Sequence, residues 1–178
     1  MILTKYKDQR VGIFIDVQNL YHSAKNLYGS RVNYKELVKN LLAGRKLVRI
    51  LAYVVRSDSQ TGEGYFFEAL SKSGIELREK EIQVYATGVK KANWDVGMAV
   101  DAIRIVNSLD VVILVTGDGD FVPLVEYLKW GCGKIVEVAA FSNTTSSKLK
   151  ESADNFIDLG NTPGVVFKIS KEGKTKRI

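Results

Sequence analysis

Four aspartates and one asparagine have the types and spacing in this chain that could do chemistry. Asp118 and Asp120 stand one residue apart in VVILVTGDGDF, Val111 to Phe121. Asp16 closes the apolar run VGIFI, Asn19 follows it, and Asp95 lies next to Trp94 in WDVGMAVDAI. Two carboxylates about 4 Å apart repel by roughly 4 kcal/mol at an effective dielectric of 20. Four such groups around one crevice would need a counter-charge, which a hard divalent cation such as Mg²⁺ or Mn²⁺ supplies while keeping several of its waters. An ion of that kind suits phosphoryl transfer, because it lowers the pKa of a bound water and clamps phosphate oxygens.

Taken singly, each acid also has a structural explanation. Asp120 could cap a helix beginning at Phe121, and Asp95 could be a first-turn acid facing the helix dipole. Asp16 and Asn19 could together order a turn and a cap. Asp101 is a second-tier candidate, six residues after Asp95 and so roughly 9 Å further along a helix. That distance takes it away from the crevice and favours a supporting or purely structural role.

What must bring the acids together is a set of strands and helices in alternation. Val111 to Val115 and Val11 to Ile15 are short, Val/Ile-rich runs, the mark of strands buried on both faces. Leu47 to Val55 and Lys134 to Phe141 read as two more, and Phe156 to Leu159 as a last short one. Ile75 to Tyr85 alternates in part, as an edge strand with a bulge or turn at Arg78 to Glu81. Between them lie helical patterns. One carries Leu20, Ala24 and Leu27, and one starts at the cap Asn33 with Leu37, Val38 and Leu41. A third runs from about Tyr65 to Ser73 and a fourth from Trp94 to about Asn107, capped by Asn93. Another follows Phe121 as far as Trp130, and Ser146 or Ser147 caps a short one. In the fourth, Val96, Ala99, Val100, Ile103 and Val106 make the apolar face. Ser57 to Gly64 and Thr87 to Asn93 read as polar loops. Strand–helix alternation of this kind gives a three-layer, Rossmann-like α/β fold with a mainly parallel sheet of about five to six strands. Strand carboxyl ends and following helix amino ends then share one edge, where such sheets bind ligands. Asp16, Asp95, Asp118 and Asp120 all fall on that edge.

Composition fits one domain with a sizeable core: 178 residues, 46% apolar and 26% charged. The division expected is a basic segment over 1–10, a domain over 11–160, and a basic tail over 161–178 that is loosely held. A net charge of +6 points to a polyanion partner, nucleic acid first. The terminal lysines and arginines have the plainer reading of solvated tails. The single cysteine, Cys132, excludes an intramolecular disulfide and a cysteine-rich zinc site, and reads as a small core residue. With no apolar leader at MILTKYKDQR and no span-length apolar run, the expected compartment is the cytoplasm and no membrane is engaged. Other chemistries find little here. There is no Walker A run, G-x-G-x-x-G or G-x-S-x-G. A calcium loop from Asp118 fails at Val122, and the lone His22 reads as a surface residue. A receiver-like phosphotransfer module would want its late lysine after a strand, whereas Lys134 precedes one.

The segments FIDVQNLY (Phe14 to Tyr21), WDVGMAVDAI, VTGDGDFVPLV (Val115 to Val125) and ESADNFIDL (Glu151 to Leu159) occur in that order. Together they resemble the NYN domain, in its LabA-like branch of the PIN-like nuclease superfamily. The resemblance implies a PIN-like sheet with an acidic Mg²⁺ or Mn²⁺ pocket at its strand ends. By position, the metal-site acids would be Asp16, Asp95, Asp118 and Asp120, with Asn19 beside them. The family commonly has serine where this chain has Thr116 and often where it has Gly119; threonine keeps the hydroxyl and glycine removes it. The activity implied is metal-dependent hydrolysis of RNA, with Asp16, Asn19, Asp95, Asp118 and Asp120 as catalytic residues. Thr116 is a further candidate for nucleic-acid contact. Lys90, Lys91 and the terminal basic segments would track the RNA backbone. The rival reading is an RNA-binding or regulatory module of the same fold that turns over nothing. Other nucleic acid as the partner, and self-association into a homo-oligomer, are the remaining open expectations.

Overall fold

The structure is a computed structural model, and it describes residues 6–56, 63–81, 83–84, 90–91, 94–169 and 175–177. In chain order it runs β1 (Arg10–Asp16), α1 (Val17–Tyr28), β2 (Arg31–Val32), α2 (Tyr34–Leu42), β3 (Lys46–Arg56) and α3 (Glu63–Lys72). Then come β4 (Glu76–Glu81), β5 (Gln83–Val84), β6 (Lys90–Lys91), α4 (Asp95–Ile105), β7 (Val111–Val115) and α5 (Val122–Glu126). The chain closes with β8 (Ile135–Ala140), α6 (Ser147–Ser152), β9 (Asn155–Asp158), β10 (Val166–Ile169) and β11 (Thr175–Arg177).

Six strands make the central sheet in the order β4-β3-β1-β7-β8-β9, every pairing parallel. Alternate residues of the central strands feed two cores. Ile13 and Ile15 of β1 pack with Val111, Ile113 and Val115 of β7 against residues of α1, α2 and α3. Phe14, Val112 and Leu114 pack on the other face against Met98 and Ala102 of α4 and Leu124 and Val125 of α5. Val111 to Val115 is therefore fully buried throughout, which is why that stretch shows no polar alternation at all. The sheet reverses its direction of growth between β1 and β7. The carboxyl ends of those two strands, Asp16 and Val115–Thr116, border the cleft where an open parallel sheet takes ligands.

Several local expectations change. Arg78 to Glu81 make no turn: they continue β4, paired with β3 from Leu51↔Glu76 to Arg56↔Glu81. Lys90 and Lys91, expected in a loop, form β6 and pair antiparallel with β5. The rest of the Thr87 to Asn93 loop lies outside the described residues, as does most of Ser57 to Gly64; the cap position of α4 falls on Trp94 and not on the expected Asn93, because the helix begins at Asp95. The apolar face assigned to α4 is largely turned outward, with Val96 76%, Val100 45% and Ile103 40% exposed. Its buried residues are Met98, Asp101 and Ala102. A helix with apolar residues nearly all round does not declare which side it buries, and here Met98, Ala102 and an ion-paired acid take the inner side. Beyond Gly160, Val165 and Val166 are buried and β10 pairs antiparallel with β2, so part of the expected loose tail is tied to the domain. No helix among the described residues is long and apolar enough to cross a membrane.

Candidate metal centre

Asp16 is the last residue of β1 and the cap of α1. Its Oδ1 accepts the Asn19 N–H at 3.0 Å, the local bond that starts a helix directly after a strand. Its Oδ2 accepts the Thr116 hydroxyl at 3.2 Å. Thr116 Oγ1 in turn accepts the Asp118 N–H at 3.3 Å, and Asn19 Oδ1 accepts the Gly117 N–H at 2.9 Å. The end of β1 and the turn after β7 are thus laced by side chains, and Thr116 lies behind the acids, fully buried, rather than on a surface. In the turn, Asp118 caps a short 3₁₀ segment, Gly119–Phe121, by accepting the Asp120 N–H at 3.0 Å on Oδ1.

Asp95 arrives from the other direction, as the first residue of α4. Oxygens of Asp95, Asp118 and Asp120 lie within 4.8 Å of one another. With Asp16 and Asn19 they border an open crevice of about 330 Å³, whose other walls include Tyr53 and Trp94. No basic side chain lines it among the described residues. Burial, reinforced by the negative charges of Asp118, Asp16 and Asp120, holds the Asp95 carboxyl above its usual range. Burial also raises Asp16, against hydrogen bonds from the Asn19 backbone, the Thr116 hydroxyl and the Gln18 backbone that favour its charged form, with Asp118 adding to the rise. Negative charge gathered in one cleft is what a hard cation relieves. The donor set is all oxygen, and Asp118 has one oxygen committed to the turn. A few carboxylate oxygens with room for retained waters fit Mg²⁺ or Mn²⁺ better than a fully enclosing calcium cage.

Asp101 belongs elsewhere. It is buried, accepts the Tyr53 hydroxyl at 3.2 Å and pairs with Arg104 at 3.1 Å and Arg78 at 3.4 Å. That is a structural network beneath the crevice wall, and it raises the Tyr53 phenol strongly, after burial as the first cause. Lys90 and Lys91 sit on β6, with only their backbone described. His22 is exposed, and Cys132 is half-buried. Gln18, Tyr53 and Trp94 are the crevice residues that sequence reasoning missed. The signal for Tyr53 was register, since it pairs with Asp16; for Trp94 it was adjacency to Asp95. Gly119 acquires a physical account. A Cβ there would lie 2.9 Å from Ser146 Oγ and 3.1 Å from Ser146 Cβ, so the loop after β8 already fills the space a side chain at 119 would take.

A wholly parallel sheet with carboxylates at its switch point is a PIN-like, Rossmann-like arrangement. The NYN domain model matches residues 10–160, and the chain belongs to the NYN family. It is 26% identical over 175 residues to the low amplitude and bright protein LabA of Synechococcus elongatus, across 93% of this chain and 92% of that protein. Its fold is similar to the crystal structure of a protein of unknown function from Vibrio parahaemolyticus. There the TM-score is 0.83 and the identity 31%, over 92% of this chain and 99% of the other.

Proposed function

We propose that the protein is a divalent-metal-dependent ribonuclease that hydrolyses phosphodiester bonds within RNA in the cytoplasm. The observation that carries this reading is the approach of Asp95, Asp118 and Asp120 oxygens to within 4.8 Å, in a crevice without a lining cation among the described residues. Membership of the NYN family supports it. Asp95, Asp118 and Asp120 would hold Mg²⁺ or Mn²⁺, with Asp16 beside them, and the ion would supply Lewis-acid activation and charge neutralisation at the phosphate. Asn19 commits its carbonyl oxygen to Gly117 and keeps its amide hydrogens to donate to phosphate or water. Thr116 acts through Asp16 and Asp118, whose orientations it sets. Lys90, Lys91 and the basic residues near both ends of the chain follow the RNA backbone, a contact that weakens steeply with salt.

The test is cleavage of end-labelled RNA with Mg²⁺ or Mn²⁺, beside EDTA and Asp118→Asn. Loss of cleavage in both controls is expected. Cleavage that survives either one overturns the assignment, as does RNA retention in a gel shift with no product in any metal.

A further inference from the structure

We propose that Trp94 is a nucleobase-stacking residue, so that the substrate presents an unpaired nucleotide beside Asp95, Asp118 and Asp120. The inference rests on the reading of nucleic acid as the substrate.

Trp94 precedes Asp95 directly and lines the same crevice, half-buried. Its ring is fixed from several sides. Nε1–H donates to the Val54 carbonyl at 2.9 Å. The Tyr53 ring lies 5.5 Å away, tilted by 57°. One edge abuts α4, where a Cβ on Gly97 would come within 2.6 Å of Cε3 and 2.9 Å of Cζ3. The Lys80 ammonium stands 5.8 Å from the ring centroid.

Holding the ring there conflicts with two local preferences of the helix. Trp94 occupies the cap position of α4 and makes no side-chain cap bond, where Ser, Thr, Asp or Asn would satisfy a free N–H. The first turn carries Gly97, where a Cβ would meet the ring, and glycine is a weak helix former. Departures from local preference concentrate at functional sites, and both of these accommodate an indole on the crevice wall.

The crevice itself is acidic and repels phosphate, so affinity for a nucleic acid has to come from groups at its border. A fixed aromatic ring supplies it without regard to sequence, because every base has a π-face. A base inside a duplex has both faces covered by its neighbours, so the ring selects single strands and unpaired loops.

The chain has two tryptophans, and Trp130 is 83% exposed. Trp130→Phe therefore leaves Trp94 as the only indole emitter. That protein is titrated in Ca²⁺ with a single-stranded oligoadenylate and with a duplex of equal length, binding being followed independently by anisotropy of a label on the RNA. The expected result is quenching of Trp94 emission and protection from acrylamide by the single strand, with weaker binding of the duplex. Trp94→Leu should weaken single-strand binding by roughly tenfold or more, and Trp94→Phe by much less, as loss of one stacked base implies. Mn²⁺ affinity, read by electron paramagnetic resonance, should be alike in all three. Unchanged Trp94 emission at saturation overturns the proposal, as does equal weakening by Phe and Leu, or equal binding of single strand and duplex. RNA that quenches Trp94 but is never cut in Mn²⁺ removes the nuclease and leaves the stacking residue. Cleavage without any change at Trp94 does the reverse, and absence of RNA binding removes both.

Discussion

Asp95→Asn separates a metal centre from a helix-stabilising acid, because the two roles predict opposite signs in the metal-free protein. Suppose Asp95 only faces the dipole of α4. Neutralising it then costs about 0.3–1 kcal/mol of stability. The structure argues otherwise: burial and the charges of Asp118, Asp16 and Asp120 together hold the Asp95 carboxyl above its usual range in spite of that dipole. Two charges 4.8 Å apart, the limit within which Asp95, Asp118 and Asp120 approach, repel by about 3.5 kcal/mol at an effective dielectric of 20. Asp95 is only half-buried and Asp120 is exposed, so solvent screening brings each pair to below about 1 kcal/mol. Subtracting the dipole leaves a net gain of about 1 kcal/mol for the asparagine variant, a rise of roughly 2–4 °C in melting temperature for a chain of this length. With Mn²⁺ the order inverts. The wild type should gain about 2.7 kcal/mol when the free ion is at about 100 times its Kd, and Asp95→Asn little of that. Thermal melts in EDTA and in a Mn²⁺ series at neutral pH read both effects. A variant less stable than wild type in EDTA, with the same Mn²⁺ response, would refute the reasoning and return Asp95 to the helix.

Two further outcomes follow from ion pairs away from the crevice. The Arg45–Glu137 pair is bidentate at 3.1 and 2.9 Å, and both side chains are 1% exposed. Glu137→Gln should cost about 3–5 kcal/mol in urea unfolding by stranding the guanidinium, while Arg45→Met with Glu137→Leu should recover most of it; a single variant as stable as the double one contradicts this. Asp110 is held at about 2, first by the Arg10 side-chain bond. Its folded value lies below its unfolded one, so its contribution is present above the ordinary carboxylate range and is lost as pH falls from 3.8 toward 2. In carboxyl NMR titrations Arg10→Gln should return Asp110 toward 3.8, and an unmoved midpoint would assign the shift to another group.

How much of this was legible in the sequence depended on whether a residue's neighbours came from its own stretch of chain. VGIFI and VVILV announce buried central strands because both faces of the sheet demand apolar residues there. The rule that strand ends and following helix starts share an edge then brought Asp16, Asp118, Asp120 and Asp95 to one place. The buried side of α4 was not legible, since Val96, Met98, Val100, Ala102 and Ile103 leave no polar side to read against. Nor was the pairing of β2 with β10, two short segments far apart in sequence that carry no periodicity of their own. Tyr53 lies in the largely apolar LVRILAYVVR, and only the parallel register sets it beside Asp16. Gly119 looked like a lost hydroxyl because Ser146, which presses against it, comes from the next strand's loop.

The structural readings of the acids and the joint site are not rivals. A carboxylate has two oxygens, and an oxygen bound to a backbone N–H fixes where the other points. Asp118 gives Oδ1 to the turn, which orients the carboxylate that meets Asp95 and Asp120. Asp16 differs, because the cap of α1 takes one oxygen and Thr116 the other. Its charge still bears on Asp95. Asp16 and Asp118 thus grade from a group already bonded on both oxygens to one bonded on a single oxygen. Metal affinity should fall more on neutralising Asp118 or Asp95 than on neutralising Asp16. Replacing Asp16 should instead loosen the whole β7 turn, because Thr116 and the start of α1 lose their common acceptor.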